Sequence, residues 1–119
     1  MVLIFGIQNH KSLILERRKI ATRRVKEPRF HEGSVQPAVT GLYEKSFASL
    51  YIERIYRQRL GEMTEADAWK EGEYTLEQFK RLWTNPKPEG LGYEWNPNFK
   101  VWVIEFRSYE KLETSEVNL

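Results

Sequence analysis

Apolar positions recur along this chain in short runs separated by turn-forming residues, and the period of each run predicts an element. The opening run over residues 2–7, Val2-Leu3-Ile4-Phe5 followed by Gly6, predicts a short buried strand. From Asn9 to about Arg18 a short helix is expected, because Leu13 and Ile14 give it an apolar face and the Asn9 side chain can accept from the first free helical N–H groups. Lys19–Val25 alternates through Ile20, Thr22 and Val25 without a breaker and predicts a strand. Pro28, Gly33 and Pro37 punctuate a loop over residues 26–37, in which the next strand begins near Val35. After a turn at Gly41–Glu44, Phe47–Leu60 reads as a long strand carrying Tyr51, Ile52, Ile55 and Tyr56, although its charges also suit a helix.

The second half changes period. Thr64-Glu65-Ala66-Asp67 and Thr75-Leu76-Glu77-Gln78 each place a hydroxyl at a cap and an acid or amide three residues on, which predicts two consecutive helices. The first is expected to end at Gly72 in the left-handed conformation of a C-cap. The second presents Leu76, Phe79, Leu82 and Trp83 on one face and must stop before Pro86. Residues 85–98 contain three prolines and two glycines and predict a long loop. In Phe99–Arg107, apolar side chains at Val101, Trp102, Val103, Ile104 and Phe106 populate both faces of a strand, as expected of one buried on two sides or closing a barrel. No internal repeat is visible. One domain over residues 1–107 and a charged tail over 108–119 follow from this order.

Composition narrows the picture. A chain of 119 residues suits one domain, and four Trp, six Tyr and six Phe supply ample apolar surface for its core. Absence of cysteine excludes disulfides, thiolate nucleophiles and cysteine-based zinc sites. His10 and His31 read as surface residues too few to build a metal site, so no metal and no other cofactor is expected. The N-terminal run lacks a basic segment before it, and no stretch approaches the ~18 apolar residues of a membrane span. A cytoplasmic protein without a membrane partner is therefore expected.

The small net charge of +2 conceals a division. Residues 1–60 hold 12 Lys/Arg against 5 Asp/Glu, whereas residues 61–119 hold 7 against 12. Lys11, Arg17, Arg18, Lys19, Arg23, Arg24, Lys26 and Arg29 crowd into one short segment, a footprint that attracts polyanions.

By themselves these elements specify an α+β fold, a small barrel with helices. The segments Thr64–Gly72, Thr75–Lys80, Trp95-Asn96-Pro97 and Val101–Phe106, in that order, resemble the C-terminal half of ASCH domains. Lys19-Ile20-Ala21-Thr22-Arg23-Arg24 is similar to the Lys-x-x-Thr-x-Arg element of that family, and Gly33 to the glycine before its next strand. The resemblance covers residues 2–107. It departs at Glu16-Arg17-Arg18, where the family places a glycine that frees the turn, and it matches weakly over residues 36–47. It implies a PUA-like β-barrel of about five to six strands with flanking short helices, and a cleft associated with RNA or modified nucleosides.

In some small bacterial members a lysine, a threonine and a glutamate hydrolyse N4-acetylcytidine, and by motif these fall on Lys19, Thr22 and Glu71. A lysine with a lowered pKa can act as general base toward a threonine hydroxyl or water, with Glu71 moving a proton and Arg24 facing the oxyanion. Lys19 and Thr22 would point to opposite faces of a regular strand, so the triad requires either that Lys19 precede the strand, in the turn, or that a bulge intervene. The alternative is that Lys19 and Glu71 form an ion pair across the cleft mouth while Thr22 satisfies a backbone group. For nucleotide or RNA binding the candidates are Arg17, Arg18, Lys19, Arg23 and Arg24, with Tyr93 and Trp95 available to stack on bases or to pack in the core. Three readings therefore stand: an RNA- or nucleotide-binding domain, an amidohydrolase of acylated cytidine, and a protein-interaction module without a nucleotide site.

Overall fold

The computed structural model describes residues 1–109; the expected tail lies outside the described residues from 110 onward. In chain order the elements are β1 (Leu3–Ile4), α1 (His10–Leu15), β2 (Ala21–Arg24), β3 (Val35–Val39), β4 (Ala48–Arg59), α2 (Glu65–Gly72), α3 (Leu76–Thr84) and β5 (Lys100–Tyr109), with one 3-10 turn at Leu60–Glu62. Every element expected from the pattern is present. The last strand runs two residues past the anticipated boundary, taking Ser108 and Tyr109 into the sheet.

The strands form one sheet in the order β1-β3-β4-β5-β2, with β1 parallel to β3 and the other pairs antiparallel. Strand β4 is its spine. Its first residues pair with β3, fixing the register left open over residues 36–47 at Gln36↔Leu50 and Ala38↔Ala48. From Ser49 to Arg59 it pairs with β5, with one bulge between Ile52 and Arg54. The architecture is the α+β, PUA-like one, but the sheet curls into a half-barrel: β1 and β2 are its two edges and do not pair with each other. A side chain spans that gap, where Arg24 Nη2 donates to the Ile4 carbonyl at 2.9 Å.

Both faces of β5 are buried, as its two-sided apolar pattern requires. Val101 and Val103 pack with Leu60, Met63, Ala68, Phe79 and Trp83 under α2 and α3. Ile104 and Phe106 join Phe5, Ile14, Leu50 and Ile52 in a second core on the other side. The two helix starts form as expected: Thr64 and Thr75 accept from the amides of Asp67 and Gln78 at 3.1 Å, and both side chains reach back to the cap amides.

Three local expectations change. Asn9 takes φ 75, which swings its side chain away from the first turn, so it makes no side-chain cap. After α2 the left-handed residue is Glu73 (φ 63), whose carboxylate is held by Arg18 at 2.6 Å. Gly72 is required both for its φ of 153, which residues with a side chain rarely adopt, and for space, since a Cβ there would come within 2.9 Å of the Tyr74 ring. The α1–β2 turn keeps a left-handed residue although arginine occupies it: Arg17 has φ 61, and both Arg18 N and Lys19 N donate to the Leu13 carbonyl.

The loop after α3 folds back on that helix through Gly90, where a Cβ would lie 2.3 Å from the Asn85 carbonyl oxygen. Gly90→Ala should therefore destabilise the domain by ~2–3 kcal/mol in urea denaturation, whereas Gly6→Ala, with open space around it, should change stability by under ~0.5 kcal/mol. Equal effects would contradict this packing.

Candidate functional site

The site is assembled where the segment entering β2 meets the end of α2. Ile20 N donates to the Lys70 carbonyl at 2.9 Å and Phe106 N to the Ile20 carbonyl at 3.0 Å, so residue 20 is held between helix and sheet. Lys19 thus precedes the strand, which begins at Ala21. The condition that the spacing imposed is met, and Lys19 and Thr22 line one cavity.

The Lys19 side chain is buried, and its amine donates to the Ala21 carbonyl (2.8 Å), the Glu71 carbonyl (2.9 Å) and Glu71 Oε1 (3.3 Å). Glu71 Oε2 accepts from Arg23 Nη1 at 2.7 Å. Arg23 Nη2 reaches Gln58 Oε1 at 2.7 Å and lies 3.8 Å from Asp67 Oδ2, the same carboxylate oxygen that caps α2. One buried carboxylate is therefore shared by two buried cations, and no buried side-chain polar atom among the described residues lacks a partner. Burial holds the Lys19 ammonium below the ordinary lysine pKa; Glu71 opposes that shift, and the charges of Arg24 and Arg23 add to it.

Next to this network, Arg24 Nε donates to Thr22 Oγ1 at 3.0 Å, and its guanidinium lies 4.9 Å from the centre of the Phe5 ring. A cavity of about 140 Å³ occupies the gap between β1 and β2. Lys19, Thr22, Arg23, Arg24 and Glu71 give it one polar side; Phe5, Phe79, Leu82 and Leu91 give it apolar walls; and Tyr93 stands at its rim. Two wider grooves, of about 530 and 350 Å³, share Gly6 and Ile7 with it. Lys19, Arg23 and Arg24 lie around the single carboxylate of Glu71, so the side-chain charge at the cavity is net positive.

The remaining sequence candidates are placed differently. Arg17 and Arg18 are exposed on the α1–β2 turn and do not line the cavity. Arg17 donates to the Ser108 carbonyl, and Arg18 pairs with Glu16 and Glu73. Arg23 points inward and is committed to Glu71 and Gln58. Tyr93 is partly exposed and packs on Trp83 with ring centres 4.8 Å apart. Trp95 packs against the α2–α3 core beneath Lys80, away from the cavity. The Lys19–Glu71 pair is interior rather than at the mouth, and Thr22 binds a guanidinium rather than a backbone group.

One cavity residue contradicts its sequence assignment. His10, read as a surface residue, is buried, with Nε2 2.8 Å from the Tyr74 hydroxyl. Its signal was helical spacing, since His10 lies four residues before the fully buried Ile14 on α1. Burial, with the charges of Lys19 and Arg24, lowers its pKa from 6.5 to about 3. Gln58 had no comparable signal. Among the described residues no group of three His, Asp or Glu could hold a metal ion, and no helix is long and apolar enough to cross a membrane.

No family model and no curated protein matches the sequence. Solved structures do match the fold. A crystal structure of a DUF984 protein from Enterococcus faecalis superposes with TM-score 0.67 at 16% identity, over 99% of this chain and 79% of that one. An ASCH domain from Lactobacillus crispatus gives TM-score 0.63 at 18% identity, over 85% and 70% of the two chains. A variant of the ASCH protein of Zymomonas mobilis gives 0.62 at 13%, over 92% and 68%. At these identities the likeness shows the fold, which is ASCH-like.

The His10 shift has a signed consequence. The imidazole is neutral in the folded protein down to about pH 3, while in the unfolded chain it takes up a proton near 6.5. Its contribution is complete above about 6.5 and is lost as pH falls toward 3, with a slope of up to ~1.4 kcal/mol per pH unit. Denaturation midpoints between pH 4 and 7 should depend less on pH in His10→Gln than in the wild type. An unchanged slope would contradict the assignment.

Proposed function

We propose that the cavity between β1 and β2 binds one nucleobase-sized ring, presented by a free nucleoside or nucleotide or by an unpaired base of RNA. The observation that carries this reading is the convergence of Lys19, Thr22, Arg24 and Glu71 on one electropositive cavity with aromatic groups at its wall and rim. At about 140 Å³ the cavity is smaller than the roughly 300–1,000 Å³ of a drug-sized site, so one ring enters and its substituents occupy the adjoining grooves. Thr22, Arg24 and His10 offer donors and acceptors to the ring edge, and Phe5 and Tyr93 offer apolar contact to its faces. The ASCH-like fold adds weight, since the resemblance ties that fold to RNA and modified nucleosides. The same reading assigns the protein to the cytoplasm, where such ligands occur.

Hydrolysis of N4-acetylcytidine is the second reading, favoured by one observation: Lys19 is buried, its pKa is lowered, and it contacts Glu71 beside Thr22. In that reaction the neutral Lys19 amine takes a proton from water or from the Thr22 hydroxyl as the oxygen attacks the acetyl carbonyl. Arg24 faces the oxyanion. The C–N bond then breaks, the proton passes to the leaving exocyclic nitrogen through Lys19 or Glu71, and cytidine and acetate result. Where threonine attacks, a water hydrolyses the acetyl ester in a second step. Binding stands first because the Lys19 amine has all three donors occupied and the Thr22 hydroxyl is engaged by Arg24.

One experiment addresses both. Cytidine, N4-acetylcytidine and a short unstructured RNA are titrated by calorimetry, and the mixtures are assayed by mass spectrometry for cytidine and acetate. Saturable binding is expected, weakened about tenfold or more by Arg24→Ala and by Thr22→Val with unchanged circular dichroism. Failure of all three ligands to bind would overturn the binding reading. Acetate release that Lys19→Ala abolishes, in a folded variant, would move the assignment to hydrolysis.

A further inference from the structure

The register of β4 and β5 places a second basic feature on the sheet, which neither the cavity nor the N-terminal cluster includes. Arg57 lies directly opposite Trp102, and Arg59 opposite Lys100, so these four side chains share one face of the β4–β5 ribbon. The Arg57 guanidinium stacks 4.7 Å from the Trp102 ring centre. Arg57, Arg59 and Lys100 are exposed and Trp102 is half-buried.

Glu62 is the carboxylate that acts on this face among the described residues: its hydrogen bonds to Arg59, and after them the charges of Arg59 and Lys100, hold its pKa down. Arg59 shares Glu62 at 3.4 Å, but among the described residues neither Arg57 nor Lys100 meets a carboxylate within 4.0 Å. Glu32, near the same edge, is committed to the backbone amide of Ile55 at 2.8 Å. Strand β3 ends its pairing at Val35↔Tyr51, so among the described residues β5 is the one sheet partner of β4 from Ile55 to Arg59 and the opposite edge of β4 is open there. The row also continues inward: Trp102 pairs on its other side with Arg24, which lines the cavity. Arg57, Trp102 and Arg24 thus stand side by side on three adjacent strands, about 10 Å from end to end at roughly 4.8 Å per strand.

We propose that this face binds the sugar–phosphate chain of a single-stranded polynucleotide whose unpaired base occupies the cavity, which makes the ligand a strand rather than a free nucleoside. The inference rests on the cavity reading for the position of that base, and on the stacked pair and its flanking cations for the chain. A guanidinium laid on an indole offers its outer plane to a base, while Arg59 and Lys100 are placed to neutralise phosphates. A face with alternating cations and one fixed stacking platform suits a flexible strand, whose bases and phosphates can be presented in turn.

The test compares cytidine and a short fluorescein-labelled oligocytidine on the wild type and on an Arg57→Ala/Lys100→Ala double variant, between about 50 and 200 mM salt. The oligomer should bind the wild type at least tenfold more tightly than cytidine. The double variant should lose most of that advantage, with a log–log salt slope shallower by about one to two, while cytidine affinity stays unchanged. Arg57→Lys, which keeps the charge and loses the planar stack, should keep the slope and lose part of the affinity. An oligomer that binds no better than cytidine, or that binds the double variant as well as the wild type, would overturn the proposal. If cytidine does not bind but oligomer binding still depends on Arg57 and Lys100, the polynucleotide face stands and the cavity reading falls.

Discussion

The rest of the site depends on one carboxylate shared by two buried cations. Removing an ion from water costs several kcal/mol even after relaxation, so Lys19, Arg23 and Glu71 are tolerated inside only because their hydrogen bonds are nearly all made within the protein. Glu71 divides its oxygens between the two cations, and its main-chain carbonyl takes a further bond from Lys19. This arrangement fixes the last turn of α2 against the entry to β2. It also fixes which way the neighbouring side chains face: with Arg23 drawn toward α2, Thr22 and Arg24 turn toward the gap between the sheet edges.

That gap is the functional opportunity of the fold. A sheet of five strands with β1 and β2 at its edges has curled but not closed. Two cores support it, one on each side of β5, so the edges can stand apart without loss of the interior. A single guanidinium bridges the opening, and the space beside it is lined by polar groups from β2 and apolar groups from β1, α3 and the loop after α3. The cavity is therefore a property of incomplete closure. Its positive potential follows from placing three cations around one carboxylate there.

Much of this was legible in the residues. Local signals carried over with little change: the two capping boxes set the starts of α2 and α3, Pro86 limited α3, and the two-sided apolar run identified β5 as the buried strand. The cluster of Lys19, Thr22, Arg24 and Glu71 was visible through resemblance, and the cavity brings all four together. Properties set by tertiary placement were not legible. Strand alternation assigns Arg23 a face but does not say that α2 covers it, so a buried arginine looked like a phosphate ligand. His10 looked like a surface residue because its six-residue helix has less than two turns, so its spacing to Ile14 is a single i, i+4 pair rather than a repeated pattern. Whether the barrel closes depends on pairing between β1 and β2, consecutive strands that are joined through α1 and carry no hairpin-turn signal that would pair them.

The shared carboxylate can be tested directly by equilibrium unfolding of Glu71→Leu and of a Lys19→Met/Arg23→Met/Glu71→Leu triple variant. If the network organises the site, Glu71→Leu alone should cost roughly 3–5 kcal/mol by leaving two cations unpaired in the interior, and the triple variant should regain most of that loss. A Glu71→Leu protein within about 1 kcal/mol of the wild type would contradict the account.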